Sequence, residues 1–517
     1  MLTEFRNEPF TDFSVHANQD AMKAALAKVK KELGKTYPLV IGGEKILTDD
    51  HIVSTNPGSP KDEIGRFSKA NTQHAERAMK VALESFESWK KVAPVERARY
   101  LFKAASLMRQ RKHEFSAWLV LEIGKNWAEA DGDTAEAIDF LEFYGREMVR
   151  LSQPQPLTAF NSEENELHYI PMGVGIVIPP WNFPLAIMAG MTSAAIVTGN
   201  TVILKPSSET PTIAFKFQEL MEEAGLPAGV LNFLPGPGAS VGDFLITHPK
   251  TRFIAFTGSK EVGLRITELA AKAQPGQLWI KRVVAEMGGK DSIIVDQDVD
   301  IDQAADGVVA SAFGFQGQKC SACSRVIVHK AIYDDFVQKV KERTEKLAIG
   351  PAEEHKTNMG PVASKSAYES ILEYIEIGKG EGQVVTGGKV KGKKEDGFFI
   401  EPTVISNISP TARIAQEEIF GPVLAVIKAE DWHHALDIAN NTEFGLTGGV
   451  YSRNRRNIEQ ARKEFHVGNL YLNRKCTGAL VGVQPFGGFN MSGTDSKAGG
   501  RDYLLLFTQA KSISERF

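Results

Sequence analysis

From Gly173 onward the chain alternates short, unbroken apolar runs with stretches of helical spacing, and this alternation limits its fold more than any other feature. Val174–Ile178, Thr201–Leu204, Val230–Phe233 and Phe253–Phe256 read as strands, with helices expected at Leu185–Val197, Thr212–Glu223 and Ser240–Thr247. Strands that are apolar throughout and joined by helices need cover on both faces, which a parallel, doubly wound sheet provides. A second series begins near Ser292, with strands at Ile293–Val295 and Arg325–Val328 and helices at Asp302–Phe313 and Tyr333–Leu347. The expectation is an α/β protein with a Rossmann-like nucleotide domain and a separate α/β domain that carries Cys320.

The first 150 residues have another texture. Thr72–Lys91 and Val95–Arg111 place apolar residues at helical spacing, and Tyr37–Ile41 with Lys45–Leu47 predicts a hairpin around Gly42-Gly43. Pro154-Gln155-Pro156 and the polar run Asn161–Glu166 follow, as a linker or as an arm reaching a partner subunit.

A length of 517 residues calls for more than one domain. A net charge of −4 without a Lys/Arg run argues against a general nucleic-acid binder. The longest apolar stretch, Phe183–Val197, is too short to span a membrane, and the first six residues lack a signal-peptide pattern. Three cysteines, Cys320, Cys323 and Cys476, make no disulfide framework, which predicts a reducing cytoplasm. The Cys320-x-x-Cys323 pair lacks two further ligands, so no metal is expected.

Three segments could carry chemistry. Phe313-Gly314-Phe315-Gln316-Gly317-Gln318-Lys319-Cys320 places a thiol after a glycine-containing turn, and Glu286 lies 34 residues upstream in Ala285-Glu286-Met287-Gly288-Gly289-Lys290. Together they could be nucleophile and general base, although a lone cysteine beside a turn is commonly structural. Phe256-Thr257-Gly258-Ser259-Lys260-Glu261-Val262-Gly263 follows a strand and opens a helix, so Gly258 and Ser259 either hold a pyrophosphate or merely cap the helix. Lys205, leaving a strand's carboxyl end, either faces solvent or binds a ribose hydroxyl.

These pieces, with Pro180-Trp181-Asn182-Phe183-Pro184, Glu417-Glu418-Ile419-Phe420-Gly421-Pro422 and Pro485-Phe486-Gly487-Gly488, resemble in type and order the aldehyde dehydrogenase superfamily across roughly residues 170–495. The resemblance implies an atypical Rossmann NAD-binding domain (1–150 and 170–288), an α/β catalytic domain (289–490), and a β-strand oligomerisation arm with a C-terminal tail (151–169 and 491–517). It implies that Cys320 attacks an aldehyde, that the Asn182 amide and the Cys320 N–H hold the oxyanion, that hydride passes to nicotinamide, and that Glu286 activates water to hydrolyse the thioester. Ile178, Pro180, Trp181, Lys205, Ser208, Gly258, Ser259, Val262, Glu418 and Phe420 would contact the cofactor. Ser208 stands where many NAD-preferring relatives carry Glu, which leaves room for NADP beside NAD.

Gly317-Gln318-Lys319-Cys320-Ser321-Ala322-Cys323-Ser324-Arg325 and the run Thr477–Gly488 are similar to the 1-pyrroline-5-carboxylate dehydrogenase branch, whose small-molecule substrate is L-glutamate γ-semialdehyde and whose setting is proline or arginine breakdown. On that resemblance Ser321, Gly478 and Ala479 anchor the substrate carboxylate, Phe183 and Phe486 flank its aliphatic middle, and Glu136 meets its amino group, unless Glu136 is simply a solvated helix residue. Succinate semialdehyde oxidation, CoA acylation and a noncatalytic role are the competing readings. The superfamily also implies a homo-oligomer, dimer or larger, with Leu504–Thr508 expected as an exchanged edge strand.

Overall fold

The unbroken apolar runs become the centre of a seven-stranded sheet in the computed structural model, which describes residues 3–517. Its order is Arg282–Glu286, Thr251–Thr257, Val174–Ile178, Thr201–Leu204, Leu231–Phe233, Leu39–Ile41 and Glu44–Ile46. The first five strands are parallel, one fewer than in the six-stranded dinucleotide fold. The expected hairpin closes one edge, antiparallel, with Gly42 and Gly43 both at positive φ (63° and 83°), as a tight two-residue turn requires.

Tyr37–Ile41 is not one strand. Pro38 cannot donate to a ladder and splits the run, so Lys35–Tyr37 joins a three-stranded sheet with Ser59–Ser68 and His51–Asn56, while Leu39–Ile41 joins the large sheet.

Helices cover both faces of the sheet. Ala186–Val197 is buried along nearly its whole length, and Trp127–Leu151, 25 residues long, packs against it. The latter begins at an Asn126 cap that accepts from the Glu129 N–H, and it turns Asp131, Asp133 and Asp139 into the interior. Thr72–Trp89 begins with a capping box between Asn71 and His74. Pro94–Gln110 carries its proline at the first turn, where no N–H is needed.

The second series gives another seven-stranded sheet, ordered Gln383–Thr386, Thr403–Ser406, Val423–Ala429, Arg325–His329, Ser292–Val295, Thr447–Tyr451 and Asn469–Leu472, parallel except for its first strand. Its faces are covered by separate apolar cores, one including Ile371, Ile405 and Ile414 and the other Val308, Phe336 and Val340.

The polar run after Pro156 is a strand. Glu163–Pro171 pairs antiparallel with Thr508–Arg516 in an isolated two-stranded ribbon whose residues are mostly exposed. The expectation of a strand at Leu504–Thr508 is corrected: Tyr503–Phe507 is a 3₁₀ helix, and the strand starts at Thr508. One helical turn places Tyr503, Leu504 and Phe507 on a single buried face, with Tyr503 stacked on Tyr144 and Phe507 edge-on to Phe253. A strand would have turned alternate members of this apolar group to solvent.

Candidate active site

Helix Ile301–Phe313 ends at the Gly314–Gly317 turn, which delivers Cys320. Phe315, Gln316 and Gly317 all have positive φ (46°, 57° and 68°). A Cβ at Gly317 would lie 2.3 Å from the Gly421 carbonyl, so only glycine fits there. Buried bonds hold the turn: Gln316 Nε2 donates to the carbonyls of Pro361 (2.7 Å) and Gly124 (3.2 Å), and Gln318, just after the left-handed residues, accepts from Ala363 N–H at its Oε1 (2.8 Å). Strain fixed in this way is the signature of a pre-organised loop. Cys320 is half-buried at its end, and burial, with the carboxylates of Asp291, Glu418 and Glu286, pushes its thiol pKa up.

Glu286 is the last residue of the edge strand Arg282–Glu286 and faces the same cavity as Cys320. Burial raises its pKa to about 8, against the opposing hydrogen bond from Ser496 Oγ to Oε1 and the charge of Lys497. Among the described residues its Oε2 has no hydrogen-bond partner. Asn182 is buried behind the cysteine loop, its Nδ2 donating to the Gln318 carbonyl at 3.1 Å. It does not line the cavity itself.

That cavity, about 570 Å³, brings together Cys320, Glu286 and all six residues expected at the substrate: Glu136, Phe183, Ser321, Gly478, Ala479 and Phe486. Glu136 is therefore not a solvated helix residue; burial raises its pKa to about 8, with Asp133 adding to the rise. Phe183 lies edge-on to Phe315 and under the fully buried Lys125 ammonium, 3.7 Å from the ring centroid. Lys125 pairs with Asp133 at 3.0 Å, and Asp133 accepts the Ala186 N–H at the start of the helix after Phe183. Gly478 sits at φ 80°, where backbone amides can approach an anion closely.

Some residues of the site escaped the sequence reading. Lys319, Arg474 and Lys475 add positive charge to the cavity wall, with Lys319 held by Glu129 at 2.7 Å. Lys319 stood within the Cys320 octet, and Arg474-Lys475 is a basic pair just before the Gly478 loop, so each had a local signal. Ser496 and Lys125 had none, because their partners lie 210 and eight residues away. Cys323 and Cys476, remote in sequence, meet as buried thiols beneath the site. Among the described residues no group of three or more His, Cys, Asp or Glu could hold a metal ion.

The residues expected at the cofactor gather around the carboxyl ends of the first sheet's parallel strands, the ligand-binding edge of such folds. Ile178 ends its strand and Pro180 follows, while Trp181 meets Phe420 edge-on at 5.2 Å. Lys205 is buried without a hydrogen-bond partner for its ammonium among the described residues, and burial lowers its pKa to about 8. Gly258 and Ser259 open helix Lys260–Ala271, with Ser259 Oγ capping Val262 N–H at 3.4 Å, and Val262 and Ser208 are exposed. Glu418 accepts the Gly289 N–H at 3.1 Å and, through burial, has a pKa near 7. A largely buried lysine without a partner, a helix N-terminus and a half-buried carboxylate on one sheet edge fit the ribose and phosphate groups of a dinucleotide.

Residues 46–513 match the model of the aldehyde dehydrogenase family. The chain is 62% identical, over the full length of both, to the 1-pyrroline-5-carboxylate dehydrogenase of Geobacillus thermodenitrificans. Its fold superimposes with a TM-score of 0.98 on the crystal structure of 1-pyrroline-5-carboxylate dehydrogenase from Thermus with bound NAD, 52% identical with all of both chains covered. Proline utilization A from Bdellovibrio bacteriovorus gives a TM-score of 0.97 at 46% identity, covering 99% of this chain and 53% of that one. With its five-stranded nucleotide sheet, its cysteine turn and the carboxylate facing it, this chain belongs to the aldehyde dehydrogenase family.

Proposed function

We propose that the protein oxidises L-glutamate γ-semialdehyde, the open form of 1-pyrroline-5-carboxylate, to L-glutamate with NAD, as a step in proline utilisation. The observation that carries this reading is the composition of one cavity: thiol and carboxylate at one place, and Glu136, Ser321 and the Gly478–Ala479 backbone lining the same walls. The full-length relatives add support.

Cys320, its thiol proton lost to solvent, attacks the aldehyde carbon as thiolate, and the developing oxyanion is received by the Cys320 N–H and by the Asn182 amide proton not given to Gln318. Removing one donor of that kind costs about 10²–10³-fold in rate. NAD, when bound, supplies the hydride acceptor that turns the adduct into a thioester. Lys205 and Glu418 would hold its riboses, Gly258 and Ser259 would receive its phosphates, and Ile178, Pro180, Trp181, Val262 and Phe420 would pack against it. Glu286 then takes a proton from water through its unpartnered Oε2, and the hydroxide displaces the Cys320 thiolate from the acyl carbon.

Ser321 Oγ and the Gly478 and Ala479 amides bind the substrate carboxylate, with Lys319, Arg474 and Lys475 supplying long-range attraction. Phe183 and Phe486 enclose the methylenes. Glu136 receives the ammonium, which draws its raised pKa back down and makes it an anion. Hydrolysis needs the base that Glu286 provides, whereas transfer to CoA does not. Succinate semialdehyde would leave Glu136 buried without a partner.

The neutral, exposed Ser208 offers no repulsion to a 2′-phosphate, which leaves NADP tolerated beside NAD, with the neighbouring Glu209 restoring part of that repulsion. Residues 1–150 and 170–288 form the cofactor domain and 289–490 the catalytic domain, a division supported by the two sheets and their separate cores. The ribbon of Glu163–Pro171 and Thr508–Arg516 has two open edges, which supports a homo-oligomer built through 151–169 and 491–517. No helix among the described residues is long and apolar enough to cross a membrane, and the reading places the enzyme in the cytoplasm.

The test is steady-state kinetics on freshly opened pyrroline-5-carboxylate and on succinate semialdehyde, with wild type and Glu136→Ala. The wild type should prefer the former, and the variant should lose about tenfold or more in kcat/KM for it alone. Equal use of both aldehydes by the wild type would refute the proposed specificity.

A further inference from the structure

The residues that meet the substrate's two charged groups sit on elements far apart in the chain, on helix Trp127–Leu151 for Glu136 and on the loop through Gly478 and Ala479. Recognition of a rigidly spaced ammonium and carboxylate requires that these two elements keep a fixed separation. One further segment touches both.

Asn7 Nδ2 donates to Asp139 Oδ2 at 2.7 Å and to the Val481 carbonyl at 2.9 Å. Asp139 lies one helical turn from Glu136, and Val481 two residues past Ala479. The second Asp139 oxygen accepts the Glu8 N–H at 2.6 Å. At the other end of the segment, buried Asp131 accepts both the N–H and the hydroxyl of Thr11, at 2.8 and 2.6 Å. Lys112 closes the same cluster by bonding Asp131 and the Pro9 carbonyl.

The segment is thus tied down at Asp131 and Asp139, eight residues or about 12 Å apart along the helix, with Glu136 between them. Phe10 and Thr11 line the cavity, and Phe5 packs edge-on against Phe143. The match to the family as a whole begins only at residue 46, whereas the 62% identical relative aligns through this segment.

We infer that Phe5–Thr11 is a specificity-determining strap, in which Asn7 fixes the spacing between the Glu136 helix and the Gly478–Ala479 loop for an aldehyde bearing a distal amino-carboxylate. This inference rests on the proposed substrate class. Asn7 is a positioning residue, since it acts through Asp139 and the Val481 carbonyl and does not itself line the cavity.

The experiment compares full-length wild type, Asn7→Ala and Phe10→Ala on glutamate γ-semialdehyde and on pentanal, with L-glutamate as a product inhibitor. Wild-type preference for the semialdehyde over pentanal tests the underlying substrate reading. The ratios of variant to wild type test the strap. Asn7→Ala should raise both KM for the semialdehyde and the inhibition constant of L-glutamate by roughly tenfold, the expected loss for a partly buried side chain bridging two elements. Its kcat, and its kcat/KM for pentanal, should stay within about twofold of wild type. An equal loss on both aldehydes, or no change in KM or inhibition, would overturn the strap. Should Asn7→Ala fail to fold, Phe10→Ala decides, because the ring is 62% exposed and folding does not depend on it. A fall of about threefold or more in its preference for the semialdehyde supports the strap, and an unchanged preference overturns it.

Discussion

Removing the Ser496 hydroxyl should move the pH dependence of turnover in a direction that the structure dictates. Glu286 has a pKa raised to about 8 by burial, and the Ser496 bond is the leading influence holding it down. A base with pKa 8 is about 10% ionised at pH 7 and about 90% at pH 9, so hydrolysis-limited kcat should rise nearly tenfold between them. A hydrogen bond to a charged group contributes about 1.5–3 kcal/mol, and 1.36 kcal/mol corresponds to one pKa unit. Ser496→Ala should therefore raise the apparent pKa by about one to two units and lower kcat at pH 7 by about 10–100-fold. The sign follows from the ionised carboxylate being the form stabilised by the bond and required by catalysis. Activity is lost below the shifted pKa and recovers above it, and Ser496→Thr, which keeps the hydroxyl, should restore much of the original profile. The assay is NADH formation from pH 6 to 10 with saturating NAD and propanal, which does not cyclise, after a pre-steady-state burst has shown that hydrolysis is limiting. A flat profile between pH 7 and 9, or a uniform loss at every pH in Ser496→Ala, would refute the reasoning.

Gly288→Ala should weaken cofactor binding specifically, because a Cβ there would lie 2.0 Å from Glu418 Oε2 and must displace the carboxylate. KM for NAD should rise about tenfold or more while KM for the aldehyde changes little, as initial-rate kinetics would show. Ser208→Glu should cut NADP-dependent kcat/KM by roughly tenfold relative to NAD, through repulsion of the 2′-phosphate, and equal effects on both cofactors would contradict that placement. Deleting 508–517 removes one strand of the ribbon and should reduce the molar mass measured by light scattering to that of a smaller assembly.

The parallel strands were legible because burial on both faces leaves a continuous apolar run, as in Val174–Ile178 and Thr201–Leu204. The hairpin was legible through Gly42-Gly43, whose conformation few other residues adopt. Trp127–Leu151 was missed as the spine of the site because its buried face carries Asp131, Asp133 and Asp139, which by type alone suggest solvent. Their partners, Lys112, Lys125, Asn7 and Thr11, are supplied by other parts of the chain. Leu504–Thr508 misled for a related reason: a run of four apolar residues fits a strand or one turn of helix equally, and packing against Tyr144 and Phe253 decides between them.

Within the site, Cys320 and Glu286 were readable from local glycine-containing turns. The choice between capping and ligand binding at Gly258-Ser259 was not, since the same Ser259 hydroxyl that caps the helix leaves its backbone amides at the helix N-terminus. Asn182 shows the same limit. Its type suggests a donor, but only the fold reveals that one of its two N–H bonds is already given to the Gln318 carbonyl, which fixes the amide beside the cysteine loop.

The most direct test of a cysteine-borne oxidation of glutamate γ-semialdehyde is mass spectrometry of the Glu286→Gln enzyme after a single turnover with NAD. Hydrolysis is blocked in that variant, so the account predicts about one NADH per active site and a glutamyl thioester on the Cys320 peptide, absent in Cys320→Ala. NADH formation without an adduct, or an adduct on Cys323 or Cys476 instead, would contradict it.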